Sequence, residues 1–454
     1  MSAGLRSIRE AGALIRSRSL SPIDLVRQCL ERIDERPELN AFITVMREQA
    51  MAGAQAAARE LAAGRDRGAL HGIPISVKDL VDVAGTPTTS GSAVPPRHPD
   101  VDAPIVTRLR EAGAVIIGKT NLHEFAFGTT TDESAFGPVH HPRDGSRSAG
   151  GSSSGAAVAL LEGMCFGSVG TDTGGSIRIP SAVCGTVGLK PAVGELPCDG
   201  IVPLSTTLDH VGPMARSVAD VALMFDAMKG AGTRTATSSN GAYVFGIPEP
   251  YFCDRLDPAV RAALTRTRNA LAAAGHTVRT VAVEHASRTA EIYLHIVLPE
   301  ASWYHAPLLA AHADRYSPGV RLRLEMGRYV LAEDYVRARH LRTVLRQSVD
   351  AAMKGCDALL LPTQPCPAPV LGATTVDIDG TAEPVRAAML RLTQLFNITG
   401  HPAVAIPAGT TGDGWPVSVQ LVGPHGATAR LLEIAATVER YSTGGDGSVG
   451  GGTG

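Results

Sequence analysis

Short apolar runs alternate with helical stretches between residues 67 and 230, and this alternation is the feature that most restricts the fold. The runs at 73–77 and 114–117 have the length and the branched side chains of buried strands. A helical pattern over 104–112 lies just before the second run. Because alternating strands and helices build one sheet rather than separate helical and β parts, the predicted fold class is α/β.

The rest of the chain carries weaker signals of the same kind. Ser21 before Pro22 is an N-cap followed by a proline at the first helical position, and residues 1–66 are predicted to be helical. Further helices are predicted at 258–274, through most of 285–350, at 384–397 and at 427–440. Further strands are predicted at 243–247, 358–361, 403–406 and 417–422.

A polar linker is predicted at 231–242, with strand signals on both sides of it. One sheet fed by both halves is therefore favoured over two independent domains. The predicted organisation is a single domain over 1–441, with a flexible glycine-rich tail at 442–454. The segments of that domain are N-terminal helices (1–66), a core (67–230), a variable helical segment (240–350) and C-terminal strands with a helix (351–441).

Composition limits the partners and the location. The 454 residues carry a formal net charge of −2, without the basic excess expected of a nucleic-acid or anionic-membrane binder. No run approaches the ~18 apolar residues of a membrane span, and the N-terminus does not have the pattern of a signal peptide. Seven cysteines without a Cys-x-x-Cys pair argue against a zinc site or a disulfide framework, so a cytoplasmic protein is expected.

A glycine- and serine-rich stretch at 148–190 is the first candidate for chemistry. Glycine clusters bring backbone N–H groups close to a ligand, and successive N–H groups form an anion-binding nest. Ser176, at the end of Gly174-Gly175-Ser176, is a candidate nucleophile whose oxyanion the same amides would hold.

A serine nucleophile needs a base, and no histidine lies near a serine in the nucleophile-elbow pattern, Gly-x-Ser-x-Gly followed by an acid and a histidine. Lys78 is the alternative, because it follows an apolar run that would bury it, and burial lowers the pKa of a lysine. Lowering that pKa from about 10.4 to about 7.5 requires roughly 4 kcal/mol.

These motifs resemble the amidase signature family over roughly residues 20–440. The likeness is carried by GGSSSG at 150–155, GTDTGGSIR at 170–178, CG at 184–185 and GLKP at 188–191. Flanking matches are LNAFITV at 39–45, GIPISVKD at 72–79, KTNLHEFAFG at 119–128, SAFGPV at 134–139, LDHVGPMARSVAD at 208–220, FNITGHPA at 396–403 and PVSVQLVG at 416–423.

The resemblance implies the family fold, a central mixed β-sheet covered by helices on both faces. It also implies a Ser-Ser-Lys relay, with Ser176 as nucleophile, Lys78 as general base and Ser152 as the bridging serine that follows a cis peptide bond. The backbone amides of Thr173, Gly174, Gly175 and Ser176 match the family's oxyanion hole.

The relay implies an amidohydrolase that cleaves a linear carboxylic amide through a Ser176 acyl-enzyme, without a metal or another cofactor. The expected partner is a small-molecule amide, and a homodimer is one option that the sequence leaves open. Which amide, or whether an ester, is cleaved is also left open.

The expected substrate-binding residues are Thr129, Thr130, Ser153 and Arg178. Arg178 could have either of two roles. It could contact a substrate carboxylate, or it could anchor its loop by ion pairing, and the anchoring role is favoured. Asp172 is expected to shape that loop by hydrogen-bonding its amides. Aromatic and apolar residues of the variable segment suggest an apolar or aryl pocket; they are Tyr293, Leu298, Trp303 and Tyr304.

Two rival functions compete with that of a free-standing hydrolase. The first is that of the A-type component of a tRNA-dependent amidotransferase, a glutaminase that works with a partner. Ile179 stands where that subfamily usually has Gln, and the segment after Pro191 lacks its usual Thr-Tyr-Gly-Arg pattern. The second is that of a non-catalytic phosphate-binding protein, which the absence of a P-loop motif disfavours.

Overall fold

The computed structural model describes residues 7–230 and 241–442. Most of the predicted linker (231–240) and the predicted tail from residue 443 onward lie outside these described residues. Within them, no helix has both the length and the apolar character that crossing a bilayer requires. The cytoplasmic location stays a prediction.

Fourteen α-helices occur in the described ranges. They are α1 (Ile8–Arg16), α2 (Pro22–Glu35), α3 (Arg47–Ala62), α4 (Pro104–Glu111), α5 (Ser154–Leu161), α6 (Arg178–Cys184), α7 (Val218–Lys229), α8 (Pro258–Ala273), α9 (Thr289–His312), α10 (Pro318–Gly327), α11 (Ala332–Ala352), α12 (Val385–Leu390), α13 (Leu395–Thr399) and α14 (Thr428–Ser442).

Fifteen strands occur in the same ranges. They are β1 (Phe42–Val45), β2 (Pro74–Lys78), β3 (Val115–Thr120), β4 (His140–His141), β5 (Asp144–Ser148), β6 (Gly167–Asp172), β7 (Val187–Lys190), β8 (His210–Ala215), β9 (Val244–Pro248), β10 (Thr277–Val281), β11 (Ala358–Pro362), β12 (Thr375–Ile378), β13 (Thr381–Pro384), β14 (Ala403–Thr410) and β15 (Pro416–Val422).

Eleven of these strands form one mixed sheet in the order β1-β3-β2-β6-β8-β7-β14-β15-β11-β9-β10. The sheet contains strands from before and after residues 231–240, as expected of one sheet fed by both halves of the chain. The predicted α/β fold class with a central mixed sheet is confirmed. Helices cover both faces, and α5 and α6 pack against each other beside β6 and β7. The division into one domain with the four predicted segments stays a prediction.

Two predicted elements were wrong in part. Residues 1–66 are not purely helical, because β1 pairs antiparallel with β3 and forms an edge of the sheet. Its half-buried, β-branched sequence FITV suits that edge position.

The single helix predicted over 384–397 is interrupted between α12 and α13. The Leu392 carbonyl accepts a hydrogen bond from the Gln420 side chain, and the Thr393 carbonyl accepts one from Arg178. The Leu392 carbonyl thus bonds a side chain, and the Thr393 carbonyl is shared between Arg178 and the Phe396 amide, three residues on, as in a tighter turn than an α-helix.

The register of β2 and β6 positions the candidate site. These neighbouring parallel strands pair Val77 with Val169, so both carboxyl ends reach the same edge of the sheet. Lys78 ends β2, and Asp172 ends β6. Open α/β sheets bind ligands at the carboxyl ends of their strands, so the loop after β6 lies where such a site is expected.

Candidate active site

Lys78 is a fully buried lysine with two hydroxyl partners. Its Nζ lies 2.7 Å from Ser152 Oγ and 2.8 Å from Thr171 Oγ1. Burial lowers the pKa of Lys78 to about 7, although the negative charges of Asp172 and Asp209 oppose that shift. A large fraction of Lys78 is therefore neutral at neutral pH, as a general base must be.

Ser152 reaches Lys78 from a tightly packed turn before α5. The Gly151–Ser152 peptide bond is cis, as the family resemblance implied. A Cβ on Gly151 would stand 2.8 Å from the Thr129 carbonyl carbon and from the Thr130 nitrogen, so only glycine fits this approach. Ser152 itself is fully buried.

Ser176 lies in the turn between β6 and α6, with 5% of its surface exposed. Among the described residues its hydroxyl makes no hydrogen bond, and so it is not joined to the Ser152 hydroxyl. Its carbonyl accepts a 3.1 Å hydrogen bond from the Ser153 amide. The structure thus brings Lys78 and Ser152 into direct contact and ties Ser176 to them through the backbone.

The amides expected to form an oxyanion hole have no partner inside the described part of the chain. None of the backbone N–H groups of residues 173–176 donates a hydrogen bond there. Thr393 Oγ1 holds the loop by donating to the Gly174 carbonyl over 2.6 Å. A run of unpaired, consecutive amides beside a serine hydroxyl is suited to hold a developing negative charge.

Asp172 and Arg178 anchor this loop from behind. Both side chains are fully buried, and Arg178 Nη2 lies 2.9 Å from Asp172 Oδ1. Asp172 also accepts hydrogen bonds from the backbone amides of Ile177 and Arg178, which is the loop-shaping role expected of it. Burial alone would raise the pKa of Asp172, yet Arg178 and the Asn397 side chain hold that pKa far below its ordinary value.

Arg178 satisfies all of its donors within the protein. Besides Asp172, its guanidinium donates to the Thr393 carbonyl, to Gln420 and to Asn397. No donor is left for a substrate carboxylate, so the structure favours the anchoring role over the predicted substrate-binding role. Asn397 lies in the FNITGHPA match, where the sequence analysis assigned it no part in the site.

Asp209 is a second carboxyl group beside the loop that the sequence analysis did not single out. It accepts a 2.5 Å hydrogen bond from Thr173 Oγ1 and further bonds from the amides of Leu204 and Ser205. Burial raises the pKa of Asp209 to about 6, because these hydrogen bonds only partly offset it. Its position in the LDHVGPMARSVAD match was the available signal.

A cavity of about 320 Å³ opens beside these residues. Thr171 and Thr173 line it, and Thr171 is the residue that contacts Lys78. The other lining residues are Leu80, Ala126, Cys198, Asp199, Ile201, Val202, Pro203, Leu204, Thr206, Asp209 and His210. Residues of the segment 198–206 thus form one wall, and its first two residues, Cys198 and Asp199, end the stretch in which the sequence departs from the family pattern.

The predicted pocket residues separate into two groups. Tyr293 lies against the loop that bears Gly174 and Ser176, since its Oη would stand 2.7 Å from a Cβ on Gly174. Trp303 is 71% exposed and does not belong to the site. It lies ten residues after Tyr293 on α9, and this separation places the two side chains on different sides of the helix. Leu298 is buried, and Tyr304 lines a separate cavity with Phe125.

Three other predicted substrate-binding residues are buried near the site. Thr129 and Thr130 pack against Gly151, and Thr130 Oγ1 donates to Asp132 over 2.6 Å. Ser153 is fully buried, with its hydroxyl 3.3 Å from the Thr171 carbonyl. Their contacts to a substrate stay predictions. Within residues 7–230 and 241–442 no group of three or more His, Cys, Asp or Glu side chains has the geometry of a metal site.

Comparisons with known proteins agree with this architecture. Residues 24–432 match the Amidase family profile. An amidase of Pseudomonas putida is 37% identical over 425 residues, covering 90% of each chain. The A-type component of the glutamyl-tRNA(Gln) amidotransferase of Anaeromyxobacter dehalogenans (strain 2CP-C) is 35% identical over 479 residues, covering 95% of each. A crystal structure of an amidase superposes with a TM-score of 0.91 at 39% identity, over 96% of this chain and 99% of that one.

Proposed function

Because the chain belongs to the amidase signature family, whose enzymes act on C–N bonds, we propose that it hydrolyses linear carboxylic amides through an acyl-enzyme on Ser176. The observation that carries this proposal is the 2.7 Å contact between buried Lys78 and Ser152, next to the loop that bears Ser176. We propose no role for a metal or another cofactor.

In the first step, neutral Lys78 takes the proton of the Ser152 hydroxyl while Ser152 takes the proton of Ser176. Ser176 Oγ forms a bond to the amide carbonyl carbon, and the carbonyl π electrons move to oxygen. The unpaired amides of residues 173–176 donate to that oxyanion. This step requires the Ser176 hydroxyl to turn toward Ser152, a hydrogen bond that substrate binding would complete.

In the second step, the C–N bond breaks and the leaving nitrogen takes a proton that returns from Lys78 through Ser152. An ester on Ser176 remains, and Lys78 is neutral again. Water then attacks this ester by the same relay, releasing the carboxylic acid and restoring the Ser176 hydroxyl. Lys78 thus acts as base in each attack and as acid in each departure.

The alternative is an A-type amidotransferase component that hydrolyses glutamine for a partner in tRNA-dependent amidation. The 35% identity to such a protein over 95% of both chains is the observation that favours it. Ile179 and the segment 192–199 depart from that subfamily's pattern, so we prefer a hydrolase that works without a partner.

Covalent trapping tests the proposal. The purified chain is treated with a fluorophosphonate, and the adduct is mapped by peptide mass spectrometry. We expect labelling of Ser176 in the wild type, and its loss in Ser176→Ala and Lys78→Ala. Lys354→Ala is the matched control, because it removes an exposed lysine and should label like the wild type.

The two candidate functions give different results with amide substrates. A free-standing hydrolase should release acid from aryl or aliphatic amides without added protein. Labelling of Ser176 together with turnover of glutamine alone would favour the amidotransferase component. No adduct on Ser176 in a folded sample, judged by thermal unfolding, would refute the acyl-enzyme for both.

A further inference from the structure

Arg386 is a half-buried cation near the candidate site that lacks an acidic partner. It is the second residue of α12, and its Nη1 donates to the Phe127 carbonyl over 3.1 Å. Among residues 7–230 and 241–442 no carboxylate lies within ion-pair distance of its guanidinium. A half-buried guanidinium has lost part of its hydration, and without a counter-charge this loss is not offset, so an anion that binds there gains a favourable interaction.

Of the two arginines beside Phe127, Arg386 is the one without an acidic partner among the described residues. The guanidinium groups of Arg323 and Arg386 both lie over the Phe127 ring, at 5.3 Å and 5.4 Å from its centroid. Arg323 is neutralised by Glu133, whose carboxylate lies 2.9 Å away. The pair therefore carries one uncompensated positive charge, located at Arg386.

The Arg386 side chain remains charged in this setting. Burial, together with the positive charge of Arg323, lowers the pKa of Arg386 to about 10. At neutral pH the guanidinium is still protonated, with donors available beyond the Phe127 carbonyl. Two parallel N–H groups of such a guanidinium match the geometry of a carboxylate.

The helix that carries Arg386, α12, also packs against the loop that bears Gly174 and Ser176. Leu390 lies four residues later on the same face of α12, and its Cδ2 would stand 3.0 Å from a Cβ on Gly174. Tyr293 Oη would stand 2.7 Å from the same point, and its hydroxyl makes no hydrogen bond among the described residues. Burial raises the pKa of Tyr293, and the positive charge of Arg386 opposes that shift. Opposite Gly174 there is thus a hydroxyl donor beside Leu390, and Arg386 lies one helical turn from Leu390 on α12.

Resting on the proposed function, we propose that the substrate is a linear amide whose acyl chain ends in a carboxylate, which pairs with Arg386 and accepts from Tyr293. The acyl side is assigned because Arg386 donates to the Phe127 carbonyl, two residues before Thr129, and the family resemblance implies that the loop from Thr129 to Ser134 lines the acyl pocket. A monoamide of a dicarboxylic acid is the simplest member of this class.

The test compares charged and neutral substrates of equal length. The substrates are monoamides of linear dicarboxylic acids with two to four methylenes, each paired with the methyl-ended amide of the same chain length. In the wild type we expect kcat/KM for the best carboxylated member to exceed that of its neutral counterpart by roughly 10- to 100-fold. Arg386→Met should reduce this ratio at least about tenfold, and Arg386→Lys should fall between.

Two further variants make the ratio interpretable. Arg321→Met removes an exposed arginine of α10 that pairs with Glu325, and it should keep the wild-type ratio. Tyr293→Phe should lower the ratio less than Arg386→Met, because it removes a neutral donor. If Arg386→Met does not fold, Arg386→Lys still has to lower the ratio.

Binding to the Ser176→Ala variant separates this proposal from the proposed function. There the dissociation constants of the same pairs are measured by calorimetry, without turnover. A ratio near one across the whole set, or a ratio that survives Arg386→Met, would overturn the carboxylate assignment even if Ser176 is labelled by a fluorophosphonate. Conversely, a carboxylate preference in binding with no labelling of Ser176 would refute the acyl-enzyme and leave this assignment standing.

Discussion

Lys78 Nζ lies 2.7 Å from Ser152 Oγ, in a contact between side chains 74 residues apart. Neither side chain is exposed to solvent, so the amine meets the hydroxyl in a medium that disfavours the ammonium form. Burial brings the pKa of Lys78 to about 7, which is close to the pH at which a base is most effective. In the proposed mechanism, the pH dependence of the reaction therefore follows the protonation of Lys78.

We expect kcat/KM to rise as the pH increases through about 7 and then to level off. The rate is expected to rise with pH because, in the proposed relay, only neutral Lys78 accepts a proton. A lysine is a cation below its pKa and neutral above it, and the pKa of Lys78 is about 7. An anilide without ionisable groups is a suitable substrate, since its own charge is constant. A profile that is flat, or that falls between pH 5 and 8, would exclude Lys78 as the base.

Replacing Thr171 with valine should move the rise of kcat/KM with pH to lower pH. Thr171 Oγ1 accepts a 2.8 Å hydrogen bond from Lys78 Nζ, and such an acceptor stabilises the ammonium more than the amine. Losing it should lower the pKa of Lys78, shifting the midpoint of the pH–rate profile by roughly half to one pH unit. The measurement is the midpoint of that profile for each variant.

Thr186→Val is the matched control for this shift. Thr186 is also a buried threonine, but its hydroxyl has no hydrogen-bond partner among the described residues. Its replacement should leave the midpoint where it is. An unshifted midpoint in Thr171→Val would mean that this hydroxyl does not tune the lysine.

The sequence predicted six of the eleven strands of the sheet, namely β2, β3, β9, β11, β14 and β15, and it missed β1, β6, β7, β8 and β10. Periodic apolar runs located β2 and β3, and the Ser21 cap with Pro22 located the start of α2. Contacts between distant segments were harder. β1 was missed because an edge strand of four residues is shorter than the helical signals around it, and its pairing with β3 is not encoded locally.

The site shows the same division. The motifs identified Lys78, Ser152 and Ser176 as candidates, and their roles stay predictions that the trapping experiment tests. They did not reveal Thr171, Asp209 or Arg386, because each of these matters only through a neighbour that is distant in sequence. Arg386, for example, acquires its environment from Phe127, 259 residues earlier in the chain.

Gly175→Ala should impair the site far more than Gly174→Ala. Gly175 has φ +141°, where side chains are rarely found, and a Cβ there would stand 2.3 Å from Thr393 Oγ1. We expect a loss of about 1–3 kcal/mol in the free energy of unfolding, together with a large loss of fluorophosphonate labelling. Gly174 has no such backbone constraint, and a Cβ there would stand farther from its nearest neighbour, 2.7 Å from Tyr293 Oη.

Denaturant unfolding and labelling rates of both variants check this order. Adding Thr393→Ala to Gly175→Ala should recover only part of the stability, since it removes the contact but not the backbone strain. Equal effects of the two glycine substitutions would show that the backbone conformation of Gly175 is unimportant.

Asp172→Asn should destabilise the fold strongly, because it leaves the buried Arg178 guanidinium without its counter-charge. Removing one partner of a buried pair typically costs about 3–5 kcal/mol. The pKa of Asp172 is held below its ordinary value, so its contribution is present above about pH 4 and is lost as the pH falls further. Denaturant unfolding between pH 3 and 7 should therefore show a smaller acid destabilisation in Asp172→Asn than in the wild type.

A double substitution and a surface control distinguish charge from packing. Combining Asp172→Asn with Arg178→Met removes both charges, and it should be more stable than Asp172→Asn alone if the orphaned guanidinium is the main cost. Asp24→Asn breaks an exposed pair with Arg27 and should change the free energy of unfolding by less than about 1 kcal/mol. If the double variant is the less stable of the two, the loop depends on the hydrogen bonds of Arg178 to Thr393, Asn397 and Gln420 more than on its charge.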